Sequence, residues 1–399
     1  MVKLMKYAAR DGWLFSVLTQ DVDRPVIPEK RLSDFLLTEI PAETPIFRVG
    51  NPFFGDTIIG RLGHIIFGNS SLPWGMMVAW RGWKKLHQSK PDLIFVNSPP
   101  FTNVTVGMIL SRLFNVPFIL DMKDDWVSSP DFLKKGRLRR AIESFVEKKV
   151  FYQASAVITV TRFSYEAYLQ KYSPLGLANK IFFIPNGEDL EEYSLLKTRE
   201  RKPEYKKFRL LSAAAGYRPS YRELTPFLQA VELFLDRCPD ARNQIEIEFV
   251  GEEPNDLYKS WVEKLLPKSA VHYSGVLDRQ SLIDCMWRGD LFFLVQPKEN
   301  FTAISGTLYE YWATGKAPVL LFAETGASSS LVVDNQLGEH FQFNQIEEAS
   351  SYIERLYQAF CDHRPVWIER SGVEEYDRKK MVQKMLLIWS NVMKNLGRH

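Results

Sequence analysis

The sequence predicts an α/β protein built from two doubly wound parallel-sheet domains. Three observations carry this. Short apolar runs of strand length alternate with helix-length stretches, the alternation occurs as two separate series, and a polar run, KTRERKPEYKK (Lys197 to Lys207), lies between them. Strands separated by helices of this length indicate βαβ units, in which each crossover returns the chain to the same end of the sheet and the strands run parallel. A chain of 399 residues agrees with this, because single cores stop growing at roughly 250–300 residues.

The first series opens on KLMKYAARDGW, a helix leading into LFSVLT (Leu14 to Thr19), which reads as a buried strand. DLIFVNS (Asp92 to Ser98), a helix over Thr102 to Phe114, and PFILDM (Pro117 to Met122) continue it. A longer helix over Lys134 to Tyr152, the strand AVITVT (Ala156 to Thr161), another helix and KIFFIPN (Lys180 to Asn186) complete it. Doubly wound domains ordinarily open on a strand and a glycine-rich turn. Neither precedes the first helix here, so the reading expects a domain that starts on a helix or one shortened at its N-terminus.

The second series starts with FRLLSAAAG (Phe208 to Gly216) and a helix through Phe234. IEIEFVG (Ile245 to Gly251), VHYSG (Val271 to Gly275) and DLFFLVQP (Asp290 to Pro297) follow, with helices between them. A helix over Thr307 to Thr314 then leads into APVLLF (Ala317 to Phe322), and Glu374 to Asn395 reads as one long helix. The expected limits are an N-terminal domain over 1–195, a linker over 196–207, a C-terminal domain over 208–373 and a final helix within 374–399.

Composition excludes several classes. The net charge of +3 is too small for a nucleic-acid-wrapping face. Three scattered cysteines, Cys238, Cys285 and Cys361, form neither a disulfide framework nor a CxxC zinc motif, which suits a reducing cytoplasm. No apolar run approaches the roughly 18 residues of a membrane span, and no basic-then-apolar leader opens the chain.

The strongest chemical signal is SGTLYEYWATGKAPVLLF (Ser305 to Phe322). Ser305, Gly306 and Thr307 can open a helix whose free amides favour an anion such as a diphosphate. Glu310 lies one turn in, within reach of ribose hydroxyls beside a docked phosphate. A capped helix with a surface glutamate is the plainer reading of that motif alone. AAAGYRPSYRE places Gly216 after a strand, followed by Arg218 and Arg222, and FVGEE places Gly251 after the next. Glycine lets phosphate approach the backbone and arginine neutralises it; an ordinary turn with solvated arginines would look the same. What sets these turns apart is that all three fall at the carboxyl ends of strands in one domain.

In the first half, Ser98 ends one strand, and DMKDDW (Asp121 to Trp126) ends another. Asp124, with Asp121, Asp125 and Lys123 beside it, could position or deprotonate an acceptor hydroxyl, or an aspartate there could cap the next helix. IPNG (Ile184 to Gly187) reads as a structural turn. Residues 73–85, PWGMMVAWRGWKK, and 133–151, LKKGRLRRAIESFVEKKVF, combine basic and apolar residues. Each could lie on an anionic membrane or simply pack an apolar stripe on the sheet.

With these residues laid out, the chain resembles the family 4 glycosyltransferases of the GT-B fold, particularly their bacterial cell-surface polysaccharide branch. The resemblance rests on KLMKYAARDGW with SVLT, PDLIFVNSPP, VPFILDMKDDW, AVITVT, KIFFIPNGED, FVGEE and LYEYWATGKAPVL. It implies two Rossmann-like domains facing across a cleft, and hexosyl transfer from a nucleotide-sugar, UDP- or GDP-linked, to a glycan or lipid-linked acceptor. It further implies retention of configuration, no metal and no other cofactor. The donor diphosphate would be held by the C-terminal domain, the acceptor by the N-terminal one, and the last helix would cross back to the N-terminal domain.

Position by position, the resemblance makes Glu310 the ribose ligand, Ser305 to Thr307 the phosphate-binding helix start, and Gly216 with Arg218 or Arg222 the donor-phosphate loop. It makes Asp124 the cleft aspartate, with Lys123 where arginine is usual. Thr302 stands where many relatives carry a first glutamate, with Glu299 nearby but out of register, and Thr307 where many carry lysine. The family's first strand and glycine-rich loop also lack a counterpart. A nucleotide-sugar 2-epimerase of the same fold and a catalytically weak binding or scaffold protein remain as rival expectations. The first would need acid–base groups around a sugar C2, and no His or carboxylate set requires it.

Overall fold

The structure is a computed structural model that describes residues 1–20, 38–49, 71–87, 90–129, 132, 134–197, 199, 207–395 and 397. The chain divides into two compact units, Met1–Pro185 with Lys379–His399, and Asn186–Arg378. In chain order the first unit holds α1 (Val2–Arg10), β1 (Val17–Gln20), β2 (Ile46–Val49), α2 (Ser71–Leu86), β3 (Ile94–Ser98) and α3 (Thr102–Phe114). It continues with β4 (Phe118–Met122), α4 (Arg137–Gln153), β5 (Ala156–Thr159), α5 (Arg162–Tyr172) and β6 (Ile181–Phe183). The second unit holds β7 (Phe208–Ser212), α6 (Thr225–Arg237), β8 (Ile245–Val250), α7 (Asp256–Leu265), β9 (Val271–Gly275) and α8 (Arg279–Trp287). Then come β10 (Leu291–Val295), α9 (Gly306–Thr314), β11 (Val319–Phe322), α10 (Ala327–Asp334), β12 (Gly338–Phe341) and α11 (Ile346–Cys361), and the chain ends on α12 (Arg378–Asn395).

In the first unit β3, β4, β5 and β6 form a parallel sheet in that order, and β1 pairs with β2 in a separate parallel pair. Every residue of β4 and β5 is buried, as strands covered on both faces require. Their side chains alternate between two cores. Phe118, Leu120, Met122 and Val157 pack with Val104, Phe151, Tyr168 and Tyr172 under α3, α4 and α5. Ile119, Ala156 and Ile158 pack on the other face with Leu4, Tyr7 and Ala8 of α1 and with Met381, Val382, Met385, Leu386 and Trp389 of α12. Trp389 is the hub of that face, its ring 5.1 Å from that of Trp13 and 4.9 Å from that of Phe95.

Two readings change here. Leu14 is 93% exposed, so LFSVLT is not a buried strand from its start; the paired segment begins at Val17, whose amide bonds Pro45 O. The strands β2 and β12 went unforeseen, being short and bounded by residues that carry no alternation.

In the second unit six parallel strands run in the order β12-β11-β10-β7-β8-β9. The unit begins at Asn186 rather than after the polar run, because Tyr193 and Leu196 are already buried in its core. β10 and β11 are wholly buried. The sheet order reverses direction between β7 and β10, and in such sheets ligands bind outside the carboxyl ends of the strands at that reversal.

Replacing Trp389 by alanine removes the ring that Trp13 and Phe95 pack against, and is expected to cost about 3–5 kcal/mol. The loss should appear in urea titration as an earlier unfolding transition of the first unit, with the second unit's transition unmoved. A cost below about 1 kcal/mol would show that α12 is not what closes that face.

Candidate functional site

The sequence-predicted donor residues gather at the reversal. Gly216, Arg218 and Arg222 lie on the loop that leaves β7, and Ser305 to Glu310 lie on the segment and helix that follow β10. β7 and β10 are paired neighbours, Leu210 opposite Leu291 and Leu211 opposite Phe292. Gly251 follows β8, which flanks β7 on its other side, and its amide bonds Gly275 O at 2.7 Å.

The loop after β7 is fixed from its base. Ser212 Oγ and Tyr217 OH lie 2.6 Å apart, and the Ala213 amide donates to Tyr311 OH at 2.9 Å. Gly216 has φ +82°, and a Cβ there would come within 3.0 Å of the Tyr221 ring, so both conformation and space favour glycine. Arg218 is exposed and its guanidinium lies 5.7 Å from the Tyr221 ring. Arg222 reaches the other strand, donating from Nη1 to Val295 O at 3.0 Å. Its Nε is buried with no hydrogen-bond partner, an orphaned charged donor near the carboxyl end of β10.

The segment after β10 is held equally firmly. Gln296, buried, donates from Nε2 to Asn300 O and Ala303 O at 2.8 and 2.9 Å and accepts from Ser328 Oγ at 2.9 Å. The Ala327 amide bonds Phe301 O at 2.7 Å. This cradle delivers the N-terminus of α9 with Ser305 at its cap, and no side chain caps it. A Cβ on Gly306 would meet nothing within 4 Å, so space lies open at the amides of the first turn, which have no intrahelical acceptor.

Glu310 is not a bare surface carboxylate. Its Oε1 accepts from Arg279 Nη1 at 2.7 Å, while Arg279 Nε donates to Glu192 Oε2 at 2.6 Å. Arg279 Nη2 donates to Glu188 Oε2 at 2.6 Å and to Tyr193 OH at 2.9 Å. Three carboxylates thus share one guanidinium in a half-buried setting. Glu188 is pushed up to about 7, first by burial and then by the charge of Glu310, against the opposing pull of Arg279 and Arg378. Gly187, beside it, is a close-approach glycine: a Cβ would lie 1.8 Å from Tyr376 O, whose oxygen takes the Glu188 amide at 3.1 Å.

Sequence reasoning missed Arg279, Glu188, Glu192 and Tyr193 as a group. The only trace was the glutamate directly after the Asn186–Gly187 turn; nothing local to Arg279 announces partners roughly 90 residues away.

In the first unit Ser98 and Asp121 to Asp125 lie at the carboxyl ends of the paired strands β3 and β4. Asp121 is buried, and its Oδ2 accepts from Asn97 Nδ2 at 3.1 Å and pairs with Lys123 Nζ at 3.0 Å. Lys123 is therefore engaged with Asp121, and its amide donates to Ser98 O at 2.9 Å. Ser98 Oγ, Asp121 Oδ1 and Asp125 Oδ2 are buried without hydrogen-bond partners. Asp124 faces solvent, yet its carboxyl is raised, first by desolvation and then by Asp125. Trp126 anchors the loop: its ring stacks on Phe101 at 4.9 Å, its Nε1 donates to Glu143 at 3.0 Å and its amide to Tyr168 OH at 3.2 Å.

The two basic, apolar segments fall on α2 and α4, residues 130, 131 and 133 lying outside the described ones. On α2, Val78, Ala79 and Leu86 are buried and Trp80 is exposed, with Lys84 Nζ 4.0 Å above its ring. On α4, Leu138, Ile142, Phe145 and Tyr152 are all exposed. Beside them a cavity of about 1080 Å³ is lined by Arg112, Phe145, Lys148, Lys149 and Tyr152 among others. Among the described residues no helix is long and apolar enough to cross a membrane.

Residues 3–187 match the family model described as Glycosyl transferase 4-like domain. By fold the chain is similar to HepE from Anabaena in complex with UDP and glucose, at 17% identity over 98% of this chain and 94% of that one, TM-score 0.62. It is similar to sucrose-phosphate synthase from Thermosynechococcus elongatus, at 16% identity over 99% and 90%, TM-score 0.59. The trehalose-6-phosphate synthase OtsA matches at 12% identity over 98% and 93%, TM-score 0.62. No curated protein matches the chain by sequence. The fold is GT-B, two parallel-sheet α/β units in one chain, and the match to the Glycosyl transferase 4-like domain covers the first of them.

The raised Glu188 has a consequence for stability. The folded chain holds a proton that an ordinary glutamate releases near pH 4.5, so this group's stabilisation is complete below that pH and is lost as pH rises through about 7. Glu188→Gln, permanently neutral, is expected to melt progressively higher relative to the parent as pH goes from about 5 to about 8. A difference that stays flat across that range would place Glu188 among ordinary carboxylates.

Proposed function

We propose that this glycosyltransferase of GT-B type moves a hexosyl group from a UDP- or GDP-linked sugar to a glycan or lipid-linked acceptor. The observation that carries the donor half is the pair of loops at the β7/β10 reversal. One ends in a helix N-terminus with open space at Gly306, the other in Arg222 with an unpartnered buried Nε. Amides of Gly306 and Thr307 would take the diphosphate, and Arg218 and Arg222 would offset the charge that grows on it as the glycosidic bond breaks. The helix dipole and the arginines act there as fixed positive charge, which supports a reading without metal or other cofactor. Glu310 Oε2, which carries no protein partner among the described residues, would accept from a ribose hydroxyl. The HepE structure is described as holding UDP and glucose, ligands of the class inferred here. Retention of configuration is the family's habit and is adopted with it.

For the acceptor half, Asp124 offers a solvent-reached carboxyl with raised proton affinity, suited to orienting or deprotonating a hydroxyl. Ser98, Asp121 and Asp125 supply buried polar atoms beside it. Leu138, Ile142, Phe145 and Tyr152 recur at spacings of four, three and seven residues, which puts them on one helix face. Arg137, Arg140, Lys148 and Lys149 lie on the same helix. An exposed apolar stripe with basic neighbours suits an anionic lipid surface. We therefore read the acceptor as lipid-linked, the setting as the inner face of a membrane, and the role as cell-surface polysaccharide synthesis.

Calorimetric titration with UDP, GDP and ADP is expected to show selective binding of one diphosphate. Arg222→Ala should then weaken that diphosphate by roughly 1.5–3 kcal/mol while leaving the bare nucleoside unchanged. Failure of all three nucleotides to bind would favour the scaffold reading. On the membrane side, the protein is expected to sediment with vesicles containing anionic phospholipid, and Leu138→Asp with Phe145→Asp to abolish that. Equal recovery with neutral vesicles, or an unaffected double variant, would remove α4 from the proposal.

A further inference from the structure

We propose that Arg279 is the positioning residue for Glu310, holding one carboxylate oxygen so that the other is presented to the donor ribose. The inference rests on the donor-site reading above and deepens it. Arg279 opens α8, just past the Asp278 cap whose Oδ1 accepts from the Ser281 amide at 3.0 Å. Its guanidinium is clamped on every side: Glu192 takes Nε, Glu188 and the buried Tyr193 take Nη2, and Nη1 is left for Glu310 Oε1. A planar fork fixed by three acceptors loses little further freedom when it orients a fourth group. Glu310 alone, on the open face of α9, would be free to turn among several side-chain rotamers.

Charge points the same way. A carboxylate near a diphosphate is repelled by it, and in a half-buried site that repulsion favours taking up a proton. The shared guanidinium offsets the Glu310 charge and screens it from the phosphate. A purely structural ion pair tying α8 to α9 would need one carboxylate; the surplus ties Arg279 itself in place.

The test compares UDP and GDP with their 2′-deoxy and 3′-deoxy analogues by calorimetry, with thermal melts as a check on folding. The parent is expected to prefer the ribonucleotide by roughly tenfold or more, and Glu310→Gln to lose most of that preference. Arg279→Gln should reduce the preference to within about threefold, although Glu310 is still present, and Arg279→Lys should recover only part of it. If Arg279→Gln does not fold, Glu192→Gln and Tyr193→Phe loosen the clamp from behind and should lower the preference in proportion. Loss of preference in Glu310→Gln with an undiminished preference in well-folded Arg279 or clamp variants would overturn the positioning role and leave the ribose reading standing. An undiminished preference in Glu310→Gln would instead sink the ribose reading, and the proposal with it.

Discussion

The pairing of β7 with β10 is the constraint on which the candidate donor site depends. These strands are separated by 78 residues between Ser212 and Leu291, yet they lie side by side in the middle of the six-stranded sheet. Because the order runs outward in both directions from this pair, the loop leaving β7 and the segment leaving β10 turn away to opposite flanks. They open a crevice that no loop of the sheet needs to fill. Everything charged or glycine-rich at the edge then has a reason for its place. Gly216 permits a left-handed turn against Tyr221, Arg222 bridges to the last carbonyl of β10, and the Gln296 cradle fixes where α9 starts.

A second constraint is charge balance in the same unit. Buried carboxylates are tolerated when paired, and removing one partner from such a group is costly. Around Arg279 the acids outnumber the base, and burial together with the charge of Glu310 raises the proton affinity of Glu188. Arg378 adds to the balance from the other side, its amide bonding Glu188 O at 2.8 Å and its side chain donating to Gly187 O. The strand-like contact of Glu188 with Asp377 therefore brings together the start of the second unit and the residues just before α12. The Asn-Gly turn that the sequence presents as ordinary punctuation is in fact a close backbone crossing, which is why glycine stands at 187.

Most of the fold was legible because its signal is local. Runs such as LFFLV and VLLF are apolar throughout and bounded by Gly, Pro or Asp, which is what a strand buried on both faces must look like. The helices after them show the 3.6-residue stripe, and Thr102–Phe114 falls where the pattern put it. β2 was illegible because IFRV mixes exposure along a pair with only one partner strand. The position of α12 on the first unit was expected from resemblance and not from periodicity, since an amphipathic helix states that it has a partner face without saying which. For the site, the glycines and the helix start could be read because backbone geometry restricts residue type. Arg279 could not, because a long-range ion pair leaves no spacing rule in the chain.

The same distinction separates the three aspartates after β4. DMKDDW presents them as equivalent carboxylates in one loop, and only the fold breaks the tie. Asp121 still belongs to the strand, is buried, and is committed to Asn97 and Lys123, so it orders the loop. Asp125 is buried one residue before Trp126, whose ring and amide anchor the turn, so it can offer an oxygen inward but not move. Asp124 alone reaches solvent while being held closer to neutrality by burial nearby and by Asp125. A group that exchanges or directs a proton must be accessible to its partner and not already neutralised by a fixed cation. On the proposed reading, the loop thus divides its acids between fixing the backbone and addressing the acceptor, with Asp124 left for the second task.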